Sequence, residues 1–71
     1  MTLTVELEKA SSGEWIAEVK EIPGCMVVEK SKGQALARVE ALALRALADR
    51  LEHGEAKAKD LEVTFLTRAA A

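Results

Sequence analysis

One long helical segment stands among short alternating segments, and this arrangement most constrains the fold. From Lys32 to His53 the chain has no proline and is rich in Ala, Leu, Glu and Arg, which are strong helix formers. Ser31 and Gln34 have the spacing of a capping box at its start, and Gly54 is suited to end it. A single helix covers only one face of a sheet, so the sequence predicts two layers with the other sheet face left open.

The N-terminal segment alternates polar and apolar residues with the period of a half-buried strand. Residues 2–9 and 14–21 both show this pattern, and the turn-forming residues 10–13 separate them. Two such runs joined by a short loop that contains glycine predict a β-hairpin. The apolar positions expected to face the helix are Leu3, Val5, Leu7, Trp15, Ala17 and Val19.

Two further strands complete the predicted sheet. Residues 25–29, after Pro23-Gly24, are apolar and β-branched, which predicts a short third strand whose inward parity stays open. Residues 60–68 alternate again and predict a fourth strand, followed by a frayed tail at 69–71. The expected fold class is α+β: a single β-β-β-α-β domain over residues 1–71, with one long helix on one face of the sheet.

Charge and hydropathy exclude several kinds of function. The net charge is −2, with 10 basic and 12 acidic residues interspersed, so the chain lacks the basic stripe that nucleic-acid binding requires. No apolar run approaches the ~20 residues of a membrane span, and the first residues lack the pattern of a signal peptide. We expect a cytoplasmic protein that binds neither DNA nor membrane. The absence of Asn is typical of a thermophilic source.

A chain of 71 residues buries only about 60–65% of its unfolded surface, so the monomer is expected to be marginally stable. Its one cysteine, Cys25, cannot form an internal disulfide, and with the one histidine, His53, it cannot build a structural zinc site. Small domains without such cross-links usually depend on a partner subunit. The sequence therefore predicts a homo-oligomer, a dimer or tetramer, or a complex with another protein.

The predicted helix has more apolar surface than one sheet face needs. It spans about 33 Å against about 26 Å for eight-residue strands, so its second half is expected to overhang the sheet. Large exposed apolar patches mark interfaces, although single surface leucines are also common. The predicted partner or oligomer interface consists of Ile16, Leu44, Leu47, Leu51 and Leu66.

No catalytic, cofactor or metal site is predicted. The strand acids Glu6, Glu8 and Glu18 alternate with the helix-facing residues, so Glu40 on the helix cannot join them in a two-metal centre. Cys25 and His53 lack a third orienting group. Cys25 is therefore predicted to be a small buried hydrophobic residue.

The segment from Glu14 to Val19, followed by Ile22-Pro23-Gly24-Cys25, resembles the HicB antitoxin family. In that family an aromatic-x-Ala strand runs into a Leu-Pro-Gly-Cys-like turn, a short strand and a capped helix with an early Ala-Leu pair, here Ala35-Leu36. The resemblance implies a truncated, catalytically inactive RNase H-like fold whose last strand is parallel to the first. It also implies binding to HicA, a small mRNA-cleaving toxin.

Two departures from that family bear on function. Glu29-Lys30-Ser31 and Gly33-Gln34 replace a Gly-Asp-Thr sequence and a pair of glutamates before the helix. HicB proteins also carry a C-terminal operator-binding domain, whereas only three alanines follow Arg68, so DNA binding is not expected. The leading hypothesis is a protein-binding module, either a HicB-like antitoxin or an orphan relative. The alternatives are a small RNA-binding domain and, last, a residual metal-dependent ribonuclease.

Overall fold

The chain forms a four-stranded sheet covered on one face by a helix. The computed structural model describes residues 1–69, and at Asp60 the backbone alone. The elements are β1 (Thr2–Lys9), β2 (Trp15–Val19), β3 (Met26–Glu29), α1 (Lys32–Glu52), a 3-10 turn (Ala58–Asp60) and β4 (Thr64–Ala69). The strand order is β3-β2-β1-β4, with β1 antiparallel to β2 and parallel to β4. The predicted β-β-β-α-β class and the parallel last strand are confirmed.

The core lies between α1 and the helix-facing side of the sheet. Val5, Val19 and Val39 are its largest fully buried side chains. Ala35 and Ala43, one helical turn to either side of Val39, are also fully buried, and their small side chains let the helix approach the sheet closely. The buried core residues are Leu3, Val5, Leu7, Ala17, Val19, Ile22, Cys25, Ala35, Val39, Ala43 and Leu47.

Both ends of α1 are capped by their own sequence. The Gln34 backbone N–H donates to Ser31 Oγ at 3.1 Å, and the Ser31 hydroxyl donates to Gln34 Oε1 at 3.2 Å. The Gln34 side chain thus completes the cap through the hydroxyl, not through the Ser31 backbone as a capping box would. At the other end, Gly54 has a φ of 74°. The Glu55 N–H reaches the Arg50 carbonyl at 2.8 Å, as in a Schellman motif.

The Pro-Gly-Cys segment is a type II turn that directs β3. The Cys25 N–H donates to the Ile22 carbonyl at 3.1 Å, and Gly24 has a φ of 79°, which this turn requires at its third position. Ile22 and Cys25 are both buried on either side of it. Because Cys25 points inward, the alternation of β3 places Val27 toward α1 and leaves Val28 on the opposite face. The open question of β3 parity is thereby settled.

The predicted boundaries need correction at the C-terminal end. β4 begins at Thr64 and not at residue 60, because β1 begins at Thr2 and offers residues 61–63 no strand to pair with. The chain start contacts this segment through its backbone: the Met1 amino group donates to the Glu62 carbonyl, and the Thr64 N–H donates to the Met1 carbonyl. Ala69 belongs to β4 and not to a tail, and residues 70 and 71 lie outside the described residues.

The helix packs on β1, β2 and β3, whereas β4 extends the sheet beyond it. The molecule measures 41 × 18 × 18 Å with a radius of gyration of 12.9 Å, compared with about 11 Å for a compact chain of this length. The expected overhang of the second half of α1 is wrong at Leu47, which is only 2% exposed. The core continues past the strand ends through Ile22 and Val63, and Leu47 packs there.

Replacing the helix cap should measurably destabilise the fold. We expect Ser31→Ala to lower the free energy of unfolding by about 1 kcal/mol, because the Gln34 N–H loses its acceptor. Urea denaturation at one fixed protein concentration measures this. Ser11→Ala, in the exposed hairpin turn, is the matched control and should change stability by less than about 0.5 kcal/mol. Equal effects of the two substitutions would contradict the capping role.

Candidate protein-binding surface

No element of the described residues 1–69 covers the sheet face opposite α1, here called the outer face. It carries four apolar side chains. Met26 is 54%, Val28 47% and Leu66 56% exposed, and Ile16 is half-buried beside Val28, its cross-strand partner. Ile16, Met26 and Val28 form one apolar patch across β2 and β3, while Leu66 lies at the far side on β4. Exposed apolar surface of this kind marks an interaction site.

A charge network occupies the centre of the outer face. Glu6 on β1 accepts a hydrogen bond from Arg68 Nη2 at 2.8 Å, and Lys20 Nζ lies 3.2 Å from both Glu6 and Glu18. Strand register produces this arrangement, because Glu18 and Arg68 are the lateral neighbours of Glu6 on the two adjacent strands. Two carboxylates and two cations therefore neutralise one another between the apolar patch and Leu66.

The network fixes the ionisation of its central carboxylate. The hydrogen bond from Arg68, and after it that from Lys20, holds the pKa of Glu6 below its ordinary value of 4.5. The same contacts with Glu6 and Glu18 raise the pKa of Lys20 above 10.5. Glu6 and Lys20 therefore both stay charged at neutral pH. Within the described residues, no three Asp, Glu, His or Cys side chains converge as metal ligands do.

Cys25 and His53 are not brought together. The Cys25 thiol is 3% exposed and points at the Val39 carbonyl in the middle of α1, with an S···O distance of 3.7 Å. His53 caps the end of α1, where its Nδ1 lies 2.8 Å from the Asp49 carbonyl. Residue 53 lies about 21 Å beyond residue 39 along the helix axis, so a thiol-imidazole pair does not form. Burial raises the pKa of the Cys25 thiol above 9.0, which makes it a poor nucleophile.

The predicted interface residues fall on two opposite sides of the molecule. Ile16 and Leu66 lie on the outer face, whereas Leu44, 49% exposed, and the half-buried Leu51 lie on α1. Leu47 is a correction: it is buried in the monomer's own core and is not available to a partner. The turn residues Pro23 and Gly24 are exposed, while Cys25 is buried.

Sequence reasoning missed Met26 and Val28, because the inward parity of the third strand was undecided. The signal was present in the turn itself. A type II turn at Pro23-Gly24 places the residues before and after it, Ile22 and Cys25, close together. Both are apolar and both are buried. Taking Cys25 as an inward position would have assigned Met26 and Val28 to the outer face.

A small cleft of about 170 Å³ lies where α1 stops short of β4. Its lining residues are Leu7, Trp15, Lys32, Thr67, Arg68 and Ala69. Trp15 is half-buried there, and the Lys32 ammonium lies 5.7 Å from the centroid of its ring, within cation–π range. Trp15 thus packs against the core and also forms part of the wall of the cleft.

No protein-family model matches the chain, and neither does any curated protein or solved structure. Nowhere in the described residues does a helix combine the length and apolar character needed to cross a membrane. The features on which a functional proposal rests are therefore the molecule's own surfaces: the outer face of the sheet and the exposed side of α1.

The Glu6 network should make stability depend on pH. Because its pKa is depressed in the folded state, ionised Glu6 stabilises the fold above pH 4.5, and this contribution is lost as pH falls through the folded-state pKa. We expect Glu6→Gln to lower the melting temperature at pH 7 and the difference from the unsubstituted protein to shrink below about pH 4.5. Thermal unfolding across pH 3–7 measures this. Glu8→Gln, exposed on the same strand, is the control, and a pH-independent Glu6 effect would contradict the network.

The Cys25 thiol should be unreactive in the folded protein. Its burial and raised pKa leave little accessible thiolate, so we expect a disulfide reagent such as Ellman's reagent to react with it at least about 100-fold more slowly than in urea-unfolded chain. Absorbance at 412 nm follows the reaction. A folded-state rate close to the unfolded one would show that the thiol is accessible and would reopen a nucleophilic role.

Proposed function

We propose that this protein is a cytoplasmic protein-binding module of the HicB antitoxin type, or an orphan relative, and that it binds its partner through the outer face of the sheet. The partner proposed is a HicA-type mRNA-cleaving toxin. One observation carries the proposal: an open sheet face on which exposed apolar side chains surround a neutral centre. At this centre Glu6 is already paired with Lys20 and Arg68, which lowers the cost of removing these charges from water when an interface forms.

The fold supports a HicB-type module. A β-β-β-α-β chain with β4 parallel to β1 has the architecture that the resemblance implies. The helix-facing positions of β1, where an active nuclease of that fold would carry an acid, are the buried Leu3, Val5 and Leu7. The nearest carboxylate, Glu6, points to the other face and is held by Arg68. These features favour binding over catalysis.

The apolar patch on β2 and β3 is the proposed centre of the interface. Met26 and Val28 are exposed there on β3, an edge strand of four residues. In the part of the chain that the structure describes, no strand pairs with its outer side. A partner can therefore cover the patch and pair with the free backbone groups of β3 at the same time. Glu8, which is exposed, lies opposite Ile16 in the register and suits a basic partner.

Binding to a HicA-type toxin tests the proposal. We expect the unsubstituted protein to bind the purified toxin and protect mRNA from cleavage. Val28→Glu places a charge in the apolar patch and should raise the dissociation constant at least about tenfold, equivalent to about 1.4 kcal/mol. Isothermal titration calorimetry and an RNA-cleavage assay measure the two effects.

Leu44→Glu is the matched control, because it puts the same charge at a similarly exposed leucine on the opposite side of the molecule. Its toxin affinity should stay within about twofold of the unsubstituted protein, since Leu44 lies on α1 and outside the outer face of the sheet. If the unsubstituted protein neither binds the toxin nor protects RNA, the antitoxin role is wrong. If Val28→Glu binds as well as the unsubstituted protein, the partner does not use this patch.

A further inference from the structure

The helix α1 carries a second apolar stripe that the core does not use. The core stripe follows the four-residue series Ala35, Val39, Ala43 and Leu47, all of them buried. The second stripe lies on the far side of the helix. Leu44 is 49% exposed in it, and Leu51 is half-buried. Its members are Ala37, Ala41, Leu44, Ala48 and Leu51.

The spacing of this second stripe is that of a helix-packing seam. Its positions are separated by four, three, four and three residues, an average of 3.5, which keeps one line of side chains directed at a neighbouring helix. Leu44 and Leu51 are one heptad apart, and the three alanines continue the same repeat back to Ala37. Alanine between the leucines allows close approach of a second helix, and the leucines fill the spaces beside it.

Charges along one edge of the stripe select the partner. Three charged residues border the stripe at seven-residue intervals, each directly after a stripe residue: Arg38, Arg45 and Glu52. Arg38 and Glu52 are about 21 Å apart along the axis. In an antiparallel pair of identical helices, each Arg38 lies beside the Glu52 of the second copy, and symmetry makes this contact twice. A parallel pair places Gly33 there instead, so Arg38 meets no acid of the second copy and keeps only Glu29 of its own chain.

We propose that the Ala37–Leu51 stripe binds a second copy of this chain, with the two α1 helices antiparallel. The inference goes beyond the proposed function and assigns a surface to the homo-oligomer that the sequence predicts. Arg45 lies next to the twofold axis, so the two Arg38–Glu52 contacts must outweigh one exposed contact between the two Arg45 side chains. In the dimer, one side of α1 packs on its own sheet and the opposite side packs on the α1 of the second copy. The outer faces of the two sheets point away from each other.

Light scattering over a concentration series tests the surface. The unsubstituted protein is expected at twice the chain mass of 7.7 kDa. Leu44→Glu should raise the dimer dissociation constant at least about 100-fold, since it buries two charges in the seam, while Leu66→Glu on the outer face should leave it unchanged. A monomer at millimolar concentration, or a Leu44→Glu variant that stays dimeric with the circular dichroism of the unsubstituted chain, overturns the proposal.

A charge exchange tests the antiparallel orientation. Arg38→Glu alone and Glu52→Arg alone each create two like-charge contacts and should weaken the dimer about tenfold or more. Mixing the two variants should restore the dimer, because both contacts in the mixed pair are again Glu with Arg. A mixture as weak as its components overturns the antiparallel arrangement. Glu29→Gln is the control, because Arg38 also pairs with Glu29 within one chain; it should remain dimeric.

The two proposals fail separately. If the dimer is lost in Leu44→Glu but toxin binding persists, the stripe is the self-association surface and the outer face binds the toxin. If the unsubstituted protein is dimeric as proposed but binds no toxin, the dimer stands and the antitoxin role is wrong. If the chain is a monomer that binds toxin, the dimer is wrong and the antitoxin role stands.

Discussion

The close packing of α1 on the sheet is the contact on which the rest of the structure depends. Ala35, Val39 and Ala43 form the helix side of this contact, and Val5, Ala17 and Val19 form the sheet side. These small residues leave little distance between the layers, and the domain has no disulfide and, in its described part, no metal-binding cluster. One such layer contact is a small core for an independent domain, which is why the surfaces left uncovered matter as much as the core.

The two uncovered surfaces differ in chemistry, and the difference suits different partners. The exposed stripe of α1 is narrow and regular. Arg38 and Glu52 lie on its border, and each would face the other in an antiparallel pair of helices. The outer face of the sheet is broad, with apolar residues around a neutralised centre. Self-association through one and heterologous binding through the other do not compete for space. A dimer formed through α1 presents two outer faces, so the combination gives a bivalent binder with two partners per dimer.

Local periodicity gave most of the fold from the sequence, because alternation and helical spacing act within a few residues. The hairpin, the helix from Lys32 and the turn at Pro23-Gly24 followed from such patterns. Features that depend on which strands are neighbours did not follow from these local patterns. The start of β4 is set by where β1 begins, some sixty residues earlier, and the link from Glu6 to Arg68 joins residues 62 apart.

The same dependence on distant parts of the chain explains which surface residues were predicted correctly and which were not. Leu44 and Leu66 were identified because their exposure follows from the helical and strand periods. Leu47 was misassigned because the core that buries it extends beyond the strand ends, with Ile22 in the same cluster and Val63 packed against it. Val28 was missed because the inward or outward direction of Cys25 was undecided, and that direction fixes which residues of β3 face outward. The charge network could not be anticipated, since the register that places Glu18 and Arg68 on either side of Glu6 involves three separate strands.

The parallel pairing of β1 with β4 has a consequence for how the chain acquires its structure during synthesis. Until β4 leaves the ribosome, β1 stands as an open sheet edge with its backbone groups unpaired, although β2, β3 and α1 are already complete. An open edge of this kind accepts any suitable strand, including the β4 of a neighbouring nascent chain, which would give an exchanged dimer. The contact between the Met1 backbone and Thr64 at the start of β4 favours closure within the same chain, since it aligns the two strands at their first residues.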